Sequence, residues 1–417
     1  MVRSHVCLRG LLLVLVLSEL GCMPESGSVL TRMEALLGAL PVLKHQDRVP
    51  FSDCFKEKKD NPGTSEALAN PALDSVRLAI AHEEEVPGLQ KLPIILVPGY
   101  LGTDKFNLGF TEMDYWYGLV DALKAVGFTQ VFPAKIDSAG YSSDGPIGDS
   151  IKKYPRIRPV PPGYRSRGQQ LQEIIEDVLY RTGAPKVNLI AHSQGALTSR
   201  WVISNQGMAD RVNALISLSG PHRGAPLTEL SVGKESLPAW LVDPVERVMT
   251  LIFGGMCDSE NADVRGSHVE MWPRYMAEYF NPNCPDMPGV QYLSVANKLV
   301  DLPNTKLSPY LLSTFWPIHA LYAMKLFGID SPGEDDGLMP VVSSRGPNDQ
   351  GNWTFLGELI GKKVFPGTGI KSRHLGVYWG VDHAAFMNFP IGLTRYFHFD
   401  AKAFFVDLAR LLNALSD

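Results

Sequence analysis

The chain has 417 residues, 45% hydrophobic and 20% charged, which is ordinary globular material and enough for one large domain or a domain with an appendage. A net charge of -5, with no long basic run, leaves no footprint for nucleic acid, and the scattered charges are those of a solvated surface.

At the N-terminus, Arg3 and Arg9 precede the apolar run Leu11 to Leu17, followed by Ser18, Gly21 and Cys22. That is the layout of a secretory signal: a positive start, a short greasy middle and small residues near the cut. The run is far shorter than the roughly 20 residues of a spanning helix, so no transmembrane segment is expected. Residues 1–22 are therefore expected to be a signal peptide, and the destination secreted or periplasmic. Glu19 stands where a lipidation signal wants an aliphatic residue, which argues against a lipid on Cys22. Beyond the signal, Cys257 and Cys284 share one irregular segment and could close a disulfide, which leaves Cys54 unpaired. No Cys-x-x-Cys spacing points to zinc or redox chemistry.

Residues 23–90 form an N-terminal extension, in which Val29 to Leu43 has helical spacing and Lys56 to Gly63 is an exposed loop. From residue 91 the character changes. Leu92 to Val97 is an unbroken apolar run ending at Pro98-Gly99, as in a strand buried on both faces of a parallel sheet. A helix is predicted over Tyr115 to Val126 and a strand over Gln130 to Ala134. Arg167 to Tyr180 is helical, with Leu171, Ile174, Ile175, Val178 and Leu179 on one face. Strands at 187–190 and 214–218 bracket a helix at 196–204. This alternation implies an α/β domain over 91–417, with a mostly parallel sheet flanked by helices. It lapses from about 228 to 288. The large apolar residues of 237–253 there form either a core helix or a helical lid over an apolar cleft.

Ala191-His192-Ser193-Gln194-Gly195 carries the chemistry. A serine between a strand and a helix, with small residues two before and two after, is a nucleophile elbow. Its turn strains the serine backbone and exposes Oγ at the start of a helix. A serine hydroxyl needs a base, and the base needs a carboxylate, expected in the chain order serine, acid, histidine. Among ten histidines, His222 and His268 come too early for that order, and His319 lies in a helical stretch. His398 sits in an aromatic tail segment, and His374 beside Lys371 and Arg373 reads as part of an exposed basic loop. His383, on a loop opening a helix, is the selected base. Asp336, beside the turn residue Gly337, is preferred as the acid over Asp335, which reads as a solvated loop charge. The oxyanion hole is assigned to the backbone N–H groups of Gln194 and Tyr100, the latter in the loop Pro98 to Thr103.

These residues resemble the secreted bacterial triacylglycerol lipases, the true lipases of Pseudomonas, Burkholderia and Geobacillus, within the α/β-hydrolase superfamily. The likeness runs from about Pro93 to the C-terminus. Its densest stretches are Pro93 to Val97, Gly102 to Phe106, Asp114 to Gly118, Arg167 to Leu171, Lys186 to Gly195 and Gly220 to Gly224. The resemblance implies an α/β-hydrolase fold with a lid, ester hydrolysis at a lipid–water interface, and the triad Ser193, Asp336 and His383. It makes His222 structural. Three positions depart from the pattern. Pro98-Gly99-Tyr100 stands where the family has His-Gly, and is more similar to the lecithin:cholesterol acyltransferase and lysosomal phospholipase group. Ala385 replaces the family's calcium-binding carboxylate, so no metal or other cofactor is expected. Val341 and Val342 stand where the second cysteine of the family's disulfide belongs. The alternatives to lipase or esterase action are phospholipase or acyltransferase action, and lipid binding without turnover. Asn352-Trp353-Thr354 matches a glycosylation acceptor by pattern.

Overall fold

A computed structural model describes residues 90–100, 102, 104–107, 112–136, 139–230, 232, 263–298, 334–347, 373–379, 382–388 and 400–416. The expected signal peptide, the helix at 29–43, the apolar segment 237–253 and Asn352 lie outside the described residues.

The frame is a six-stranded sheet in which every neighbouring pair is parallel. Its strands are β1 (Ile94–Val97), β4 (Val131–Pro133), β5 (Val187–His192), β6 (Val212–Leu218), β7 (Gln291–Lys298) and β8 (Arg373–Trp379). They lie in the order β4-β1-β5-β6-β7-β8. Two short strands, β2 (Lys105–Asn107) and β3 (Glu112–Asp114), pair as an antiparallel ribbon beside it.

Alternation along the strands fills two cores. Ile94 and Leu96 of β1 with Ile190, Ile216 and Leu293 face α1 (Leu119–Ala125) and a C-terminal helix (Ala401–Ala414) that supplies Phe404, Phe405, Leu408 and Leu412. Ile95 and Val97, with Leu189, Ala191 and Leu215, face α2 (Arg167–Thr182) and α3 (Gln194–Asn205). Strands buried on both faces need largely apolar sequence; β1 is wholly apolar, and β5 admits only Asn188 and His192, both buried and hydrogen-bonded.

Local chemistry sets the helix ends. Ser166 and Gln169 form a reciprocal capping box at the start of α2, and Gly183 at φ 67° closes it. The helix predicted from Tyr115 begins only at Leu119, because Gly118 at φ 64° breaks the helical path ahead of it. Tyr115 and Trp116 are instead buried side chains of the core.

The chain steps from β1 outward to β4, then crosses back to β5 on the other side of β1. Ligands of open α/β sheets bind beyond the carboxyl ends of strands at such a reversal. Beyond the ends of β1 and β5 lie the Pro98 loop and the Ser193 elbow. A third core closes this end, with Tyr141, Leu197, Trp272, Tyr275, Phe280 and Met339. Residues 263–288, the second half of the segment expected to be a lid, are thus packed into the domain. Ala225 N–H bonds the Met271 carbonyl, and Val264, Val269 and Met276 are buried.

Candidate active site

Ser193 caps α3 at φ 53°, ψ −130°, a strained backbone for a residue with a side chain. Its N–H is tied to the carbonyl of Leu218 at 2.9 Å, which holds the turn against β6. The flanking glycines are steric necessities. A Cβ on Gly195 would lie 2.5 Å from the Pro98 oxygen, and one on Gly99 would lie 2.7 Å from Ser193 Cβ. The oxyanion loop and the elbow are therefore packed backbone to backbone.

The candidate acid and base arrive from far along the chain. Asp336 is fully buried, and its Oδ1 accepts from the N–H groups of Leu338 and Met339 at 3.0 and 2.7 Å. Its Oδ2 lies 2.8 Å from His383 Nδ1, and the His383 N–H donates to the Asp336 carbonyl at 3.0 Å. A carboxylate can only accept, so Nδ1 carries the proton and Nε2 is the basic nitrogen. Gly337 at φ 92° makes the turn that lets the carboxylate double back on the two following amides. Asp335, expected to be solvated, is buried instead, with Oδ1 accepting the Gly337 N–H at 2.8 Å. Paying for that buried charge with a backbone bond stiffens the same turn.

His192 joins the two halves of the site. Its Nε2 lies 3.0 Å from the His383 carbonyl oxygen, an acceptor, so Nε2 holds the proton. Its Nδ1 then accepts from the Tyr115 hydroxyl at 2.6 Å, and that oxygen accepts from the Gly99 N–H at 2.9 Å. One directional chain thus runs from the oxyanion loop through Tyr115 and His192 to the base loop. Burial, with His383 beside it, holds the basicity of His192 well below the usual imidazole range, so it stays neutral and the chain keeps its direction.

The N–H of Gln194 opens α3, where it has no partner within its own helix. On the other side of the site, Arg167 is buried and donates to the Pro98 and Gly99 carbonyls at 2.9 and 2.8 Å, which fixes the loop carrying Tyr100. The Tyr100 ring stacks on His268, with its hydroxyl 3.1 Å from Nε2. Sequence reasoning missed His268, Arg167 and the buried carboxylate of Glu270 as parts of this region.

His222 is enclosed, with Nε2 2.8 Å from Ser217 Oγ. His374 does not lie on an exposed loop: it is on β8, with Nδ1 3.0 Å from Ser294 Oγ. Of the expected Cys257–Cys284 pair, Cys284 is a buried free thiol whose carbonyl accepts from Arg200, and Cys257 lies outside the described residues. Among the described residues no group of three or more His, Cys, Asp or Glu side chains is placed to hold a metal. No helix among them is long and apolar enough to cross a membrane.

A family model described as alpha/beta hydrolase fold matches residues 93–244. A triacylglycerol lipase of Pseudarthrobacter phenanthrenivorans is 36% identical over 174 residues, 41% of this chain and 46% of that protein. One from Burkholderia plantarii is also 36% identical over 174 residues, covering 41% of each chain. A third, from Vibrio cholerae, is 31% identical over 172 residues, 40% of this chain and 46% of its own length. The chain thus spans less than half the length of the curated relatives it matches. A solved lipase of Bacillus licheniformis in its mature form aligns with 73% of this chain and 89% of its own at TM-score 0.44 and 16% identity. The six-stranded parallel sheet, the strained serine elbow between β5 and α3 and the family match over residues 93–244 together give this chain the α/β-hydrolase fold.

Proposed function

We propose that this chain hydrolyses carboxylic esters of lipids through an acyl-enzyme on Ser193, as a lipase or esterase. The observation that carries the reading is the 2.8 Å contact between His383 Nδ1 and Asp336 Oδ2, on a loop tied through His192 to the strained Ser193 elbow. The similarity to proteins named triacylglycerol lipase supports lipid esters as the substrate class.

In this mechanism His383 Nε2 takes the Ser193 proton as Oγ attacks the ester carbonyl. Negative charge forms on the carbonyl oxygen, and the N–H groups of Gln194 and Tyr100 stabilise it. Asp336 holds the imidazole in the Nδ1–H tautomer and stabilises the imidazolium once it forms. The imidazolium then protonates the leaving alcohol. Water, deprotonated by the same nitrogen, releases the acid and restores Ser193.

A second reading, phospholipase or acyltransferase action, rests on the loop Pro98-Gly99-Tyr100, whose tyrosine ring packs on His268. Profiling triacylglycerol emulsions against phospholipid vesicles, with and without an added alcohol acceptor, separates the two. The hydrolase reading itself is tested by comparing wild type and Ser193→Ala on p-nitrophenyl acyl esters. Turnover should vanish in the variant while its melting temperature holds, and retained turnover refutes the assignment.

A further inference from the structure

Glu270 is a wholly buried carboxylate at the end of α4 (Val264–Glu270), a helix that makes no covalent step in the mechanism above. Its Oε1 accepts from the Ser142 N–H at 2.6 Å. Its Oε2 accepts from the Ser142 hydroxyl and from Gln194 Nε2, both at 2.8 Å. Taking an anion out of water costs several kcal/mol unless its oxygens are fully met. A chain that retains one here gains something a neutral side chain would not supply.

The gain is visible at Gln194. Its Nε2 donates one hydrogen to Glu270 and the other to the Gly140 carbonyl, also at 2.8 Å. Its Oε1 faces the Ser267 hydroxyl at 3.0 Å. A flipped amide would set oxygen against a carboxylate and a carbonyl, so only one orientation satisfies the three neighbours. Gln194 is the residue after the nucleophile, and its backbone N–H is the candidate donor to the oxyanion. Clamping its side chain on the far side therefore fixes the first peptide of α3.

The same carboxylate connects to the opposite donor. The Ser142 hydroxyl lies 3.0 Å from Thr198 Oγ1, which accepts from Arg167 Nε at 3.1 Å. Arg167 in turn holds the Pro98 and Gly99 carbonyls. A buried anion on one side and a buried cation on the other thus span the two loops whose N–H groups must converge.

We propose that Glu270 is a positioning residue of the oxyanion hole, acting through the Gln194 side chain rather than on the substrate. The inference rests on the hydrolase reading above. Preorganised donors contribute only while they point at the developing charge, and displacement of about 1 Å can cost on the order of 100-fold in rate.

The test uses the full chain and four proteins: wild type, Glu270→Gln, Gln194→Leu and the double variant. Glu270→Gln keeps the shape but sets an NH2 against donors, either the Ser142 N–H or the Gln194 amide with the Ser142 hydroxyl, because every contact of the carboxylate is a donor. Gln194→Leu removes the clamped amide and keeps the backbone N–H. Each single variant should lower kcat on p-nitrophenyl butyrate and the rate of fluorophosphonate labelling by a similar factor, about 10- to 100-fold. KM should stay within about three-fold, and the shape of the pH–rate profile should not change. The double variant should be no slower than Gln194→Leu alone, because the two act on one peptide. Folded Glu270→Gln with wild-type kcat and labelling overturns the inference. If Glu270→Gln does not fold, Gln194→Leu decides, and unchanged kcat there overturns it equally. A wild-type chain that neither hydrolyses the ester nor labels at Ser193 overturns the hydrolase reading and this inference with it. Wild-type activity with unaffected variants overturns this inference alone.

Discussion

His192 Nε2 donates to the carbonyl oxygen of His383 across 3.0 Å, with the two ring centroids 4.7 Å apart. The residue before Ser193 is thereby tied to the loop that carries His383, 191 positions further along the chain. Replacing His192 by Ala removes the donor to the His383 carbonyl and the acceptor of the Tyr115 hydroxyl, leaving the His383 N–H bond to Asp336 in place. We predict a kcat loss of about 10- to 100-fold, with Ser193 still labelled slowly by a fluorophosphonate. A variant with wild-type kcat would show that the base loop needs no such tether.

Asp336→Asn retains an oxygen for the Leu338 and Met339 amides but turns an NH2 toward His383 Nδ1. The imidazole is then driven to the other tautomer, with its proton facing Ser193. By the general behaviour of such triads, kcat should fall about 10⁴-fold. Steady-state kinetics check this, and circular dichroism should show an unchanged fold.

The elbow leaves no room for a methyl group. At Gly195 the obstacles to a Cβ are the Val97 and Pro98 backbone oxygens, at 2.7 and 2.5 Å, which cannot rotate away. Gly195→Ala should destabilise the domain by about 1–3 kcal/mol, read from urea unfolding. It should also cut activity further than that loss of stability explains, because the Pro98 loop must move to admit the methyl.

Acid should destabilise the fold through its enclosed histidines. Burial holds His192 and His222 well below the ordinary imidazole value, lowers His268 to about 4 and lowers His374 to about 3. In the unfolded chain these groups bind protons near pH 6.5, so the unfolded state holds more protons below that point. The stability they contribute is complete above about pH 6.5 and is lost as pH falls toward their folded values. Burial raises Glu270 and Asp263, which act in the opposite sense, but among the described residues these are two groups against four histidines. Urea midpoints measured from pH 7 to pH 5 should therefore decline, each histidine adding up to about 1.4 kcal/mol per pH unit. A flat or rising midpoint would show that the rings are solvated.

What was legible in the sequence follows from where apolar residues are compulsory. Strand β1 is buried on both faces and reads as an unbroken run, β5 and β6 keep apolar stretches around Asn188 and Asn213, and the apolar face of Leu171, Ile175 and Val178 marks α2. The elbow is legible because its glycines answer to backbone contacts at fixed offsets. Strand β7 was not legible, because its carboxyl half carries polar residues that serve the acid and base loops. Ser294 bonds the Arg345 carbonyl, Asn297 bonds the Asp382 carbonyl, and Lys298 pairs with Glu334. Strand β8 opens with Arg373 and His374 and so looked like a basic loop. Glu270 was hidden for a related reason, since a carboxylate in a sequence is solvated by default. Its one signal is the company of Val269, Met271 and Trp272, all buried.

The central claim is that Ser193 is the nucleophile of an acyl-enzyme. Its most direct test is the mass of the intact chain after exposure to a fluorophosphonate, followed by peptide mapping. A single adduct on Ser193, absent in Ser193→Ala and much slower in His383→Ala, is the predicted result. No adduct, or an adduct on another residue that Ser193→Ala leaves untouched, would contradict it.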